Sequence, residues 1–155
     1  MSNLDQTVAA IQEQIIEEAR RQYSETVVEH WLRPRNPYAM ERPDGHAKIT
    51  GPCGDTMEIF VRVRDGEVAD ASFLTDGCLT SIVSGSMAVA TAIGKPLRDA
   101  RAISQGDILA GLGGLPEESE HCALLAANTL QAALDAVQHP SSQSWKQLYR
   151  TEPRE

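Results

Sequence analysis

Met57-Glu58-Ile59-Phe60-Val61-Arg62-Val63-Arg64-Asp65-Gly66 alternates and then turns. Met57, Ile59, Val61 and Val63 stand on one side of a period of two, and Glu58, Phe60, Arg62 and Arg64 on the other, which is the pattern of a strand with one face against a core. Asp65-Gly66 supplies the positive φ that a two-residue hairpin turn requires. The run from Val68 to Thr75 is the returning strand. His46 to Thr50 has the same period and makes a third. An antiparallel sheet of three strands is not stable alone, so a helical layer must cover one face.

The flanking text supplies that layer. Leu4, Val8, Ile11, Ile15 and Ala19 recur at helical spacing, continued by Tyr23, Val27 and Trp31. This is an amphipathic helix with a break, ending before Pro34 because the residue ahead of a proline is driven to extended geometry. A loop then runs to about Gly45. After Gly77-Cys78, Ile82, Met87, Val89 and Ile93 return to helical spacing until Gly94-Lys95-Pro96. Leu97 to Ala102 reads as a short helix. Ser104-Gln105-Gly106-Asp107 resembles a capping box that opens another turn or two of helix, broken again by Gly111, Gly113 and Gly114. From Pro116, with acids in the first turn, the stripe Ala123, Ala126, Leu130, Ala133, Leu134 and Val137 defines a long helix to about His139-Pro140. The fold class is α+β, a three-stranded antiparallel sheet with helices packed on one face.

The chain has 155 residues and a formal net charge of -8. That length matches one domain with its own core. The scattered basic residues and negative balance argue against nucleic acid as a partner. No apolar run approaches the ~20 residues of a membrane span, and no secretory signal layout begins the chain, so a cytoplasmic location is expected. Three widely spaced cysteines, an odd number, fit reduced thiols better than a disulfide framework.

Gly51-Pro52-Cys53-Gly54-Asp55 places a thiol and a carboxylate two residues apart in a bend. If the bend opens into a strand at Thr56, positions 53 and 55 share a face. Cys78 falls at the start of one helix and His121-Cys122 in the first turns of another, where unpaired amides and the helix dipole favour a thiolate. Inert core cysteines have no reason to prefer such positions. Cys53, Asp55, Cys78, His121 and Cys122 offer three sulfurs, one imidazole and one carboxylate, a donor set for zinc or an iron-sulfur cluster. Adjacent helical residues point about 100° apart, so His121 and Cys122 are not expected to bind one ion together. A surplus ligand suits a site whose ligands exchange. His30, His46 and His139 sit with no thiol and read as surface or packing residues, and Trp31 and Trp145 as core or docking residues.

At these residues the chain resembles the U-type iron-sulfur cluster assembly scaffold family, the group of IscU and the N-terminal part of NifU. The shared text is Tyr23-Ser24-Glu25, His30, Pro34-Arg35-Asn36, Cys53-Gly54-Asp55, Gly77-Cys78 with Ser81-Ile82 and Ser84 to Ser86, and His121-Cys122 with Leu125-Ala126. The resemblance implies a domain over 22–140, with an N-terminal helical extension over 1–21 and a polar tail over 141–155. It implies that Cys53, Asp55, Cys78 and Cys122 hold a nascent cluster, generally 2Fe-2S, with His121 as an alternative or neighbouring ligand and Asp55 keeping the cluster labile. It further implies a pyridoxal-phosphate cysteine desulfurase as sulfur source and Cys122 as persulfide acceptor, an exposed thiolate being a good nucleophile. Apo iron-sulfur proteins would be the acceptors, and zinc often occupies the same site when no cluster is present.

Members served by a dedicated Hsp70-type chaperone carry Leu-Pro-Pro-Val-Lys before the histidine. This chain reads Leu115-Pro116-Glu117-Glu118-Ser119, which puts that partner in doubt. The stripe of the N-terminal extension has three available uses: packing on its own domain, homodimer formation or meeting a partner. Local packing is the expectation, since amphipathic helices usually bury their stripe within the chain. Two other functions remain open, a zinc-dependent sulfurtransferase of the same family and a small zinc-stabilised interaction module. The sulfurtransferase branch typically lacks the histidine that His121 supplies here.

Overall fold

The computed structural model of the protein describes residues 2–137. Among these the order is α1 (Asn3–Gln22), α2 (Glu25–Leu32), β1 (Gly45–Thr50), β2 (Thr56–Arg64), β3 (Glu67–Thr75), α3 (Leu79–Ala92), α4 (Leu97–Arg101), α5 (Gln105–Leu112) and α6 (Glu120–Val137), with a 3-10 turn at Glu117–Ser119 ahead of α6. The strands form one antiparallel sheet in the order β1-β2-β3. Asp65 and Gly66 turn the β2–β3 hairpin with φ of 55° and 78°, the geometry expected of that dipeptide.

The period of two holds where it was clearest. Met57, Ile59 and Val61 are fully buried, the last two paired across the sheet with Phe73 and Ala71. Phe60 lies on the opposite face yet is only 7% exposed. Its β1 partner His46 stacks on it with ring centroids 4.7 Å apart. Packed on the inner face are α3 and α6, and every residue of the predicted α6 stripe from Ala123 to Val137 is buried. Each fully buried leucine there contributes about 1.5–3 kcal/mol relative to exposure. At Gly45 a Cβ would stand 2.2 Å from the Ala133 carbonyl oxygen and 2.4 Å from a Val137 methyl. The glycine therefore lets the end of α6 lie directly on the start of β1. The beginning of α6 reaches the other end of that strand, where Leu125 approaches Gly51.

The break expected in the N-terminal helix is present and divides it into α1 and α2: Ser24 caps α2 by accepting from the Val27 amide at 3.0 Å, and the same hydroxyl donates to the Leu112 carbonyl. Two expectations change. The α1 stripe does not pack on the domain. Leu4, Val8, Ile11 and Ile15 are 45–70% exposed, and in α1 only Ala19 is buried. Beside the core, it is Val27 and Val28 of α2 that are buried instead. Finally, α5 runs through Gly111 and stops only at Leu112, with Gly113 in the left-handed region. Its predicted capping box is present, Asp107 N–H donating to Ser104 Oγ at 3.2 Å and Ser104 N–H to Asp107 Oδ2 at 2.9 Å. His139 and Trp145 lie outside the described residues. Among the described residues, no helix is long and apolar enough to cross a membrane.

Candidate functional site

One end of the sheet collects the β1–β2 connection, the β3–α3 junction and the first turn of α6. Gly51 to Asp55 form the connection, closed by the Gly51 amide on the Asp55 carbonyl at 2.8 Å and the Gly54 amide on the Gly51 carbonyl at 3.0 Å. Thr50 and Thr56 are the last paired residues. Cys53 is therefore at the exposed tip of a turn, not in a strand. The alternation expected to set Cys53 and Asp55 on one face does not apply to it, because the pleat begins only at Thr56. The Asp76 carboxylate accepts the Thr56 amide at 2.7 Å, and Thr75 Oγ1 donates to the Thr56 carbonyl at 2.7 Å. These bonds fix the hairpin against the junction that leads into α3.

Cys78 is the N-cap of α3, as expected, with an exposed thiol. The Thr80 hydroxyl beside it, at 3.2 Å, and the Thr80 and Ser81 amides hold its pKa below that of an ordinary thiol, against opposing contributions from burial and Asp55. The same Thr80 hydroxyl lies 3.3 Å from Cys122 Sγ in α6. It is a bridge between two sulfurs that are 44 positions apart in the chain. Next to it, the fully buried Ser81 hydroxyl donates to Asp55 Oδ2 at 2.9 Å and lies 3.6 Å from Cys122 Sγ. The junction is tight: a Cβ on Gly77 would fall 2.4 Å from Ser81 Oγ and 2.8 Å from Asp55 Oδ2. His121 Nε2 folds back to 3.7 Å from Cys122 Sγ, so the angular separation of neighbouring helical residues does not keep these two donors apart.

Asp55, Cys78, His121 and Cys122 are thus gathered, directly or through hydroxyls, while Cys53 stays outside this network. Among the described residues, no three His, Cys, Asp or Glu side chains converge closely enough to hold a metal ion. What joins the donors is Thr80 and Ser81, not a finished cage. The expectation of an exposed Cys122 fails as well. It is 2% exposed, because α6 places it beneath the first turn of α3 and those two hydroxyls.

Thr80 stands out in no motif, and Ser81 appears in the shared text without a role of its own. A signal was available: Thr80, Ser81, Ser84 and Ser86 form a run of hydroxyls in one helix, all buried, and buried hydroxyls need partners. Ser86 finds one in His30, whose Nδ1 lies 2.6 Å from Ser86 Oγ, and it also accepts the Arg35 amide at 2.8 Å. Burial lowers the His30 pKa. His30 is therefore a packing residue. His46, stacked on Phe60 and 2.5 Å from Glu58, belongs to the outer face of the sheet.

A family model described as the NifU-like N terminal domain matches residues 22–143. The chain is 39% identical over 113 residues to the iron-sulfur cluster assembly scaffold protein IscU 1 of Archaeoglobus fulgidus, covering 72% of this chain and 74% of that one. It is 38% identical over 117 residues to the scaffold protein IscU of Escherichia coli K12, covering 72% and 91%. Among solved structures, a nitrogen-fixing NifU-like protein (N-terminal) from Brucella abortus matches with a TM-score of 0.60 at 20% identity, over 76% of this chain and 95% of the other, a likeness of fold.

Proposed function

The chain belongs to the NifU-like N-terminal domain family, and we propose that it is a scaffold on which an iron-sulfur cluster is assembled and then passed to apo-acceptor proteins. The carrying observation is the junction where Thr80 and Ser81 draw Asp55, Cys78 and Cys122 to one place. In our reading a 2Fe-2S cluster is the cargo, held by Cys53, Asp55, Cys78 and Cys122. Three sulfurs suit iron, and the harder carboxylate oxygen is the weaker ligand from which release starts. His121, already beside Cys122, is the ligand that can replace Asp55 or Cys122 as the shell changes. Zinc takes the same donor types and is the alternative occupant.

Sulfur arrives, in this proposal, as persulfide from a cysteine desulfurase. Cys78 is exposed and its thiol is shifted towards thiolate, whereas Cys122 is covered. Cys122 can serve as acceptor only when the first turns of α3 and α6 separate. Three free thiols also suit a cytoplasmic protein. The test is anaerobic reconstitution with ferrous iron, cysteine and desulfurase. A visible chromophore that moves to an apo-acceptor is expected, and tight zinc with no chromophore contradicts the proposal.

A further inference from the structure

Ser81 is fully buried in the first turn of α3, with one hydroxyl proton and two acceptors within reach of it. Asp55 Oδ2 is at 2.9 Å and Cys122 Sγ at 3.6 Å. A hydroxyl donates once, and a bond to carboxylate is the shorter and stronger. With Oδ2 engaged, Asp55 has its other oxygen to offer an incoming metal. Its position is also enforced from behind, since a Cβ at residue 77 would collide with Ser81 Oγ and Asp55 Oδ2 together.

We propose that Ser81 is a positioning residue: it fixes the orientation of Asp55 before loading and holds the carboxylate when that ligand leaves the iron. This rests on the scaffold reading and deepens it. Release requires a carboxylate to part from iron inside a half-buried junction. Left without a donor there, the departed carboxylate is costly. The Ser81 proton stabilises it, and the barrier to release falls. No electron or atom is transferred in this step; an iron–oxygen bond is lost and a hydrogen bond is retained.

The test uses Ser81→Ala in the full chain, with two readouts. In the metal-free protein, three-bond NMR couplings report the Asp55 χ1 rotamer. One rotamer is expected in the wild type and averaging in Ser81→Ala, whereas an unchanged single rotamer overturns the positioning role. In the cluster-loaded protein, transfer to an apo-acceptor is expected to slow about tenfold. Asp55→Ala is expected to slow it in the same direction, and Asp55→Ala with Ser81→Ala no further than Asp55→Ala alone. Additive slowing, or normal transfer from Ser81→Ala, overturns the proposal. If the wild type forms no cluster, the scaffold reading fails, and the metal-free rotamer measurement still decides whether Ser81 positions Asp55.

Discussion

Cys53 and Cys122 bear the same thiol in opposite surroundings. Cys53 sits at the exposed tip of a glycine-rich turn, outside the pleat and outside the hydroxyl network. Cys122 is covered by α3, with Thr80 and Ser81 at 3.3 and 3.6 Å from its sulfur. Three of the four proposed ligands, Asp55, Cys78 and Cys122, are therefore tied together before any metal arrives, and the Cys53 turn must close on them. A centre meant for permanent stability has no use for that division, because a structural site is completed by folding. A centre that loads and unloads does: the tied ligands keep the geometry and the open Cys53 turn admits and releases cargo.

The largest effect should separate function from stability at these two positions. Cys53→Ala and Cys122→Ala are both expected to abolish retention of a visible cluster after anaerobic desalting. Only Cys122→Ala should cost folding stability, about 1 kcal/mol for a truncated buried side chain, measured by urea unfolding of the metal-free proteins. Equal costs would remove the distinction between the tied ligands and the open turn.

The flanking glycines sharpen the same contrast. Gly77→Ala forces a Cβ into Ser81 and Asp55 and should destabilise by about 1–3 kcal/mol, as overpacking does. Gly54→Ala meets open space but keeps a φ of 91°, so its cost is backbone strain alone, about 1 kcal/mol. Thermal unfolding should rank Gly77→Ala as the worse. The reverse order would mean that the junction yields more easily than the turn.

Smaller still is the effect of Thr80→Val, which keeps shape and removes the bridging hydroxyl. The Cys78 thiol is held below its ordinary pKa chiefly by that hydroxyl. More thiolate is therefore present near neutral pH than in a free cysteine, and reactivity falls as pH drops through the lowered value. In Thr80→Val the alkylation profile of Cys78 should move to higher pH, with slower labelling at neutral pH. The least effect is expected from removing residues 1–21. Among the described residues of that segment only Ala19 is buried, and unfolding of the remaining domain should shift by less than about 0.5 kcal/mol.

Much of this was legible in the residues. The alternation from Met57 to Arg64 and the Asp65-Gly66 turn gave the sheet, and the Ala123 to Val137 stripe gave the helix across it, because both patterns report a face that must be buried. The placement of Cys78 at a helix cap followed from the shift of period after it. The α1 stripe misled, since periodicity states which face is apolar but not whether a surface is free to receive it; the stripe stays exposed while Val27 and Val28 of α2 are buried. The burial of Cys122 and the roles of Thr80 and Ser81 were hidden for a related reason. They depend on how closely α3 approaches α6, a distance set by side chains from both helices and by none of the local patterns.

Residue-resolved alkylation of the three cysteines, followed by mass spectrometry before and after anaerobic cluster loading, tests the divided site most directly. In the metal-free protein Cys53 and Cys78 should label quickly and Cys122 slowly, and after loading all three should be protected. Rapid labelling of Cys122 without metal, or a Cys53 that stays reactive in the loaded protein, would contradict a site built of tied ligands and a turn that closes on them.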